Sequence, residues 1–74
     1  MKITVSYPTI KRGSKGEIVI QLQDLLARNG SSVRISGIYD VGTVSAVGAF
    51  QRKHGLKIDG IAGPETWRQL LIAI

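Results

Sequence analysis

A pattern of eight residues occurs twice in this chain, and it limits the possible folds more than any other feature. Ser36-Gly37-Ile38-Tyr39-Asp40-Val41-Gly42-Thr43 is echoed by Asp59-Gly60-Ile61-Ala62-Gly63-Pro64-Glu65-Thr66. Each copy carries a tight glycine turn, an isoleucine expected to be buried, a helix start and a threonine one turn in. The copies join a second loop to a second helix and a third loop to a third helix, so two similar helix-opening loops serve one core. A chain of 74 residues has room for one core only. It is too short to be a solenoid. Cysteine is absent, so stability must come from aliphatic packing, with no disulfide and no thiolate ligand or nucleophile.

The remaining elements follow from periodicity. Ile3, Val5 and Tyr7 alternate with Lys2, Thr4 and Ser6, which predicts an extended N-terminal arm over residues 1–6. Pro8 has no N–H to donate and ends it. Ser14 followed by Glu17 reads as a capping box. The helix it opens is expected over Lys15 to Arg28, with Val19, Leu22, Leu25 and Leu26 inward and Asn29-Gly30 as its stop. Ile18 borders that stripe and Ile20 points away from it. Residues 31–38 read as a loop with a weak extended pattern at Val33 and Ile35.

The second helix is expected over Val41 to His54, capped by Asp40. Thr43, Ala46, Val47, Phe50 and His54 form its inner face, with Gly48 off it. Gly55 stops it, and Leu56 is placed for the Schellman contact. The third helix starts at Pro64 and turns Trp67, Leu70, Leu71 and Ile74 inward. The fold class is all-α: a compact three-helix bundle with two echoed Gly-rich loops and a short extended arm.

Ten Lys+Arg against five Asp+Glu give a net charge of +5. A basic surface suits polyanions without choosing among them. Tyr7, Tyr39, Phe50 and Trp67 are the only aromatics, too few for a base-stacking platform. No apolar run approaches the ~20 residues of a membrane span, and the start does not read as a secretory signal. His54 is the single histidine and has no Cys or second His to complete a metal site. Asp40, Asp59 and Glu65 each have a helix-cap or turn explanation, and a bundle this small has little concavity for paired carboxylates. No catalytic residue, metal or cofactor is expected.

The residues also carry a family resemblance. Residues Tyr7 through Gly16, Val19 with Leu22-Gln23, Gly37-Ile38-Tyr39, Ala46-Val47 with Phe50-Gln51, Gly55-Leu56, and Asp59 through Trp67 together resemble the type-1 peptidoglycan-binding domain. The likeness runs from Tyr7 to Leu71 and is most specific from Phe50 to Trp67. It implies a three-helix module, residues 7–71, that tethers cell-wall hydrolases or phage lysis and tail components to murein. The sequence departs from the family pattern at Ser36, where Asp is usual, and at Asp40-Val41, where Gly-Pro is usual.

The implied site is a shallow groove between the two echoed loops and the flank of the second helix. Backbone amides at Gly37 and Gly60, with Tyr39, Gln51 and Asp59, are expected to hydrogen-bond a muropeptide. Trp67 reads either as core or as an indole edge lining the groove. Gln51 could equally brace a loop. Lys11, Arg12 and Lys15, with Arg52, Lys53 and Lys57, would attract stem-peptide carboxylates or anionic wall polymers weakly and in a salt-sensitive way. The expected partners are peptidoglycan and a catalytic cell-wall hydrolase, with no membrane span. The place of action is the bacterial wall, periplasm or exterior, reached by phage delivery or as part of a larger protein. Two other readings stand beside this one: a small basic nucleic-acid-binding domain using the second helix, and a scaffold module using Ile18 and Ile20 against a protein partner.

Overall fold

The structure, a computed structural model, describes residues 7–73. The expected arm over residues 1–6 and the inward position of Ile74 lie outside the described residues. Three helices follow in order: α1 over Glu17–Arg28, α2 over Val41–Lys53 and α3 over Pro64–Ala73. Two isolated antiparallel bridges, Ile10↔Ala62 and Lys15↔Ile38, fasten the segment before α1 to both echoed loops.

Helix α1 begins two residues later than expected, and the capping box is not formed. The Ser14 hydroxyl instead accepts the Lys11 N–H at 3.2 Å. Lys15 pairs with Ile38, and the Gly16 N–H donates to the Gly37 carbonyl at 3.0 Å. Cross-loop pairing therefore claims the backbone that the first helical turn would have used. Gly16 stands at the N-cap with φ 108 and no side-chain cap.

The other helix ends follow the sequence. The Asp40 side chain accepts the Thr43 N–H at 3.0 Å, which caps α2. Gly30 and Gly55 both close Schellman motifs: Ser31 N–H donates to Leu26 O at 3.0 Å, and Leu56 N–H to Gln51 O at 2.8 Å. Leu56 packs against the core as that motif requires. His54 is the C-cap of α2 rather than its last helical residue, a difference within normal fraying.

The core joins Val19, Leu22 and Leu26 of α1, Val47 and Phe50 of α2, and Trp67 and Leu70 of α3 to Ile10, Tyr39 and Ala62 of the loops. Leu25, Ala46 and Leu71 are half-buried at its rim. One expectation shifts by a residue. Ile38 is 53% exposed and Ile61 only half-buried, while Tyr39 and Ala62 behind them are buried. Ile38 lies in extended backbone against Lys15, where successive side chains alternate in direction, so the residue after it turns inward. The threonines one turn in, Thr43 and Thr66, are buried as expected. Ile20 is 41% exposed, but its Cγ1 would lie 3.2 Å from a Cβ at Gly37. It therefore roofs the first turn.

Candidate functional site

Two buried glutamines build the echoed loops in the same way. Gln23 on α1 accepts the N–H groups of Ser36 and Gly37, each at 2.9 Å. Its amide nitrogen donates to the Ile38 carbonyl and to the Thr43 hydroxyl, each at 3.0 Å. Gln51 on α2 repeats this one loop later. It accepts from Asp59 N–H at 3.1 Å and Gly60 N–H at 3.0 Å, and donates to Ile61 O at 2.9 Å and Thr66 Oγ1 at 3.0 Å. It also donates to Asp59 Oδ1 at 2.9 Å, a bond for which Ser36 in the first copy offers only a 3.5 Å counterpart. Gln23 was missed as a functional element of the echo. Its signal was present: Val19-x-x-Leu22-Gln23 and Val47-x-x-Phe50-Gln51 share one spacing.

The two turns are also joined to each other. Tyr39 ends the first loop, and its hydroxyl donates to the Gly60 carbonyl in the second. The Tyr39 ring is 1% exposed and fills the space between the loops. The expected groove between both loops is therefore closed. Several expected ligand contacts are closed with it. The Gly37 and Gly60 amides are bound to Gln23 and Gln51, and both glycines are buried. Every polar atom of Gln51 is occupied within the protein. Trp67 is fully buried, stacked on Tyr7 at 4.5 Å between centroids, and its indole N–H donates to the Pro8 carbonyl at 3.0 Å. These residues shape the loops from behind. Gly60 needs its missing side chain: its φ is +71, and a Cβ there would lie 2.9 Å from Val44 Cγ1.

What remains open is a groove of about 220 Å³ beside the second turn. Leu56, Ile61 and Pro64 give it apolar walls, and Lys57, Asp59 and Glu65 put charges of both signs around it. A second cavity of about 230 Å³ lies at the ends of α1 and α2, beside Asn29, Ser31, Phe50, Lys53 and His54. Of the six basic residues expected to attract anionic wall groups, only Lys57 lines the first groove and only Lys53 the second cavity. Lys11, Arg12, Lys15 and Arg52 are exposed elsewhere. His54 stacks on Phe50, with ring centroids 4.3 Å apart, and its Nδ1 lies 3.4 Å from Gln69 Nε2. Among the described residues no group of three or more His, Cys, Asp or Glu side chains comes together. No described helix is long and apolar enough to cross a membrane.

The carboxylates follow their hydrogen bonds. The Ile61 backbone N–H holds Asp59 below the usual carboxylate range, with help from the Gln51 amide and the Lys57 charge. Asp40 is lowered chiefly by the Thr43 N–H. Burial, then the negative charge of Asp59, pushes the Tyr39 phenol up to about 12. The fold thus holds the neutral phenol. Its stabilisation is complete below the unfolded-chain value near 10 and is lost as pH rises toward 12. Chemical denaturation between pH 9 and 12 should show a loss of about 2–3 kcal/mol that Tyr39→Phe lacks. Equal slopes for the two proteins would refute it.

Comparison with known proteins agrees with this architecture. The sequence profile of the peptidoglycan binding domain family matches residues 15–70. The chain is 43% identical over 68 residues to the spore cortex-lytic enzyme of Bacillus cereus, covering 90% of this chain and 26% of that enzyme. The SleB N-terminal domain superposes with a TM-score of 0.87 at 41% identity, covering 95% of this chain and 97% of that one. The Burkholderia AP3 phage endolysin gives a TM-score of 0.84 at 46% identity, covering 85% of this chain and 24% of the endolysin. The chain thus spans about a quarter of the length of that curated relative, the spore cortex-lytic enzyme. With that profile over most of its length, and with the two glutamine-braced loops of the echo in place, the chain belongs to the peptidoglycan-binding domain family.

Proposed function

We propose that this peptidoglycan-binding module engages the wall polymer through the groove beside the second turn. The observation that carries this is the groove itself: an open recess whose loop is fixed from behind by Gln51, so that its charged residues are presented on a rigid frame. No rearrangement is needed to form it, which keeps the ordering cost of binding low. The module contributes no catalysis. It works by effective concentration, holding an attached or accompanying cell-wall hydrolase at an insoluble substrate. Delivery from a phage particle, or as part of a longer secreted hydrolase, would bring it to the wall.

Co-sedimentation of the 74-residue chain with purified murein sacculi tests this reading. The protein should pellet with sacculi, and Gly63→Leu should reduce retention at least about tenfold. Gly63 lines the groove, and a Cβ added there meets nothing within 4 Å, so the larger side chain fills the recess without disturbing the core. Retention unaffected by Gly63→Leu would move the site elsewhere. Absence from the pellet, with steeply salt-dependent binding to duplex DNA, would overturn the function. The burial of Tyr39, Phe50 and Trp67 argues against that outcome, because no stacking platform is left for bases.

A further inference from the structure

We infer that this groove reads the stem peptide of the wall polymer rather than its glycan, and takes the end of a diamino acid that carries both an ammonium and a carboxylate. The inference rests on the groove being the peptidoglycan site. Sugar rings bind well where a flat aromatic face covers their C–H groups. Here no aromatic side chain borders the groove. Tyr39, Phe50 and Trp67 are buried, and the Tyr7 ring lies against Trp67 with planes 13° apart.

The charges point to a ligand of mixed sign. The one ion pair among the described residues is Arg28 with Asp24, so Lys57, Asp59 and Glu65 all face the groove without a salt-bridge partner. Asp59 commits Oδ1 to the Ile61 N–H and the Gln51 amide, which leaves Oδ2 for a ligand. A purely anionic group would meet the repulsion of Asp59 and Glu65, and a purely cationic one would leave Lys57 unpaired. An amino-acid end bearing both charges satisfies the two carboxylates with its ammonium and Lys57 with its carboxylate. The apolar walls of Leu56, Ile61 and Pro64 suit the methylenes leading to that end. The volume of about 220 Å³ is below the ~300–1,000 Å³ of pockets that enclose drug-sized ligands, and fits a single residue's end.

The test is an amide chemical-shift titration of the 74-residue chain with three probes. They are the tripeptide L-alanyl-γ-D-glutamyl-meso-diaminopimelate, the same tripeptide ending in L-lysine, and peptide-free glycan strands released from sacculi by an amidase. The diaminopimelate tripeptide should shift the amides of residues 57–66 saturably. The lysine tripeptide, which lacks the second carboxylate, should bind at least about fivefold more weakly, and the glycan should leave those amides unmoved. Lys57→Ala should abolish the preference between the two tripeptides, and Glu65→Gln should weaken both. Both residues are exposed, so neither change touches the core. Equal binding of the two tripeptides, or groove shifts caused by glycan alone, would overturn the inference while leaving the groove as the wall-binding site. If sacculi are retained but no probe moves residues 57–66, the reading of the groove itself fails.

Discussion

Gln51→Ala should cost about 3–5 kcal/mol in urea unfolding, most of the stability that a domain of this size possesses. The side chain is 1% exposed and supplies every polar partner that the second turn draws from α2. Truncation leaves the Asp59 and Gly60 N–H groups, the Ile61 carbonyl and the Thr66 hydroxyl without that partner. Each buried group so orphaned costs about 1–3 kcal/mol, and water entering from the adjacent groove recovers part of the sum. Gln51→Glu keeps the acceptor oxygen but turns the donor into a second one 2.9 Å from Asp59 Oδ1 and the Ile61 carbonyl, so it should cost at least as much as alanine near neutral pH. Gln23→Ala should behave alike at the first turn but more mildly, because Ile38 is exposed there whereas Ile61 in the second turn is half-buried. A loss below about 1 kcal/mol for Gln51→Ala would show that the loop holds its shape without the cradle.

Trp67→Ala should be comparably severe, at about 3–5 kcal/mol. The indole is fully buried, stacks on Tyr7 and donates to Pro8, so its removal opens a cavity and releases the segment before α1 together. Trp67→Phe retains most of the packing and loses the hydrogen bond, for about 1–2 kcal/mol. Thermal unfolding followed by far-ultraviolet dichroism separates the two. An alanine variant that melts within a few degrees of wild type would contradict the central place given to this side chain.

Much of the fold was legible because its signals are local. Asp40 as cap, Gly30 and Gly55 as stops, Pro64 as a first-turn residue and the spacing of Val19, Leu22 and Leu26 act within one or two helical turns. The start of α1 was not legible, because the competitor for Gly16 is the Gly37 carbonyl in a distant loop. The inward turn of Tyr39 rather than Ile38 has the same origin: the bridge to Lys15 sets which side faces in. The candidate site was half legible. Of the expected site, the second loop with Asp59 borders the open groove, whereas the first loop does not and Tyr39, Gln51 and Trp67 hold the frame from within. A sequence shows that a polar residue recurs at a fixed spacing. Whether its hydrogen bonds are spent inside or offered outside depends on burial, which only the assembled core decides.

The bond from the Trp67 indole to Pro8 spans 59 residues. With the Ile10↔Ala62 bridge beside it, nearly the whole chain must close into a ring before these contacts around Trp67 can form. Small helical bundles owe their microsecond-to-millisecond folding to contacts between near neighbours. This chain has the helix content of that class and the long-distance closure of slower, sheet-containing topologies, so the entropy of ring closure weighs on its rate-limiting step more than helix formation does.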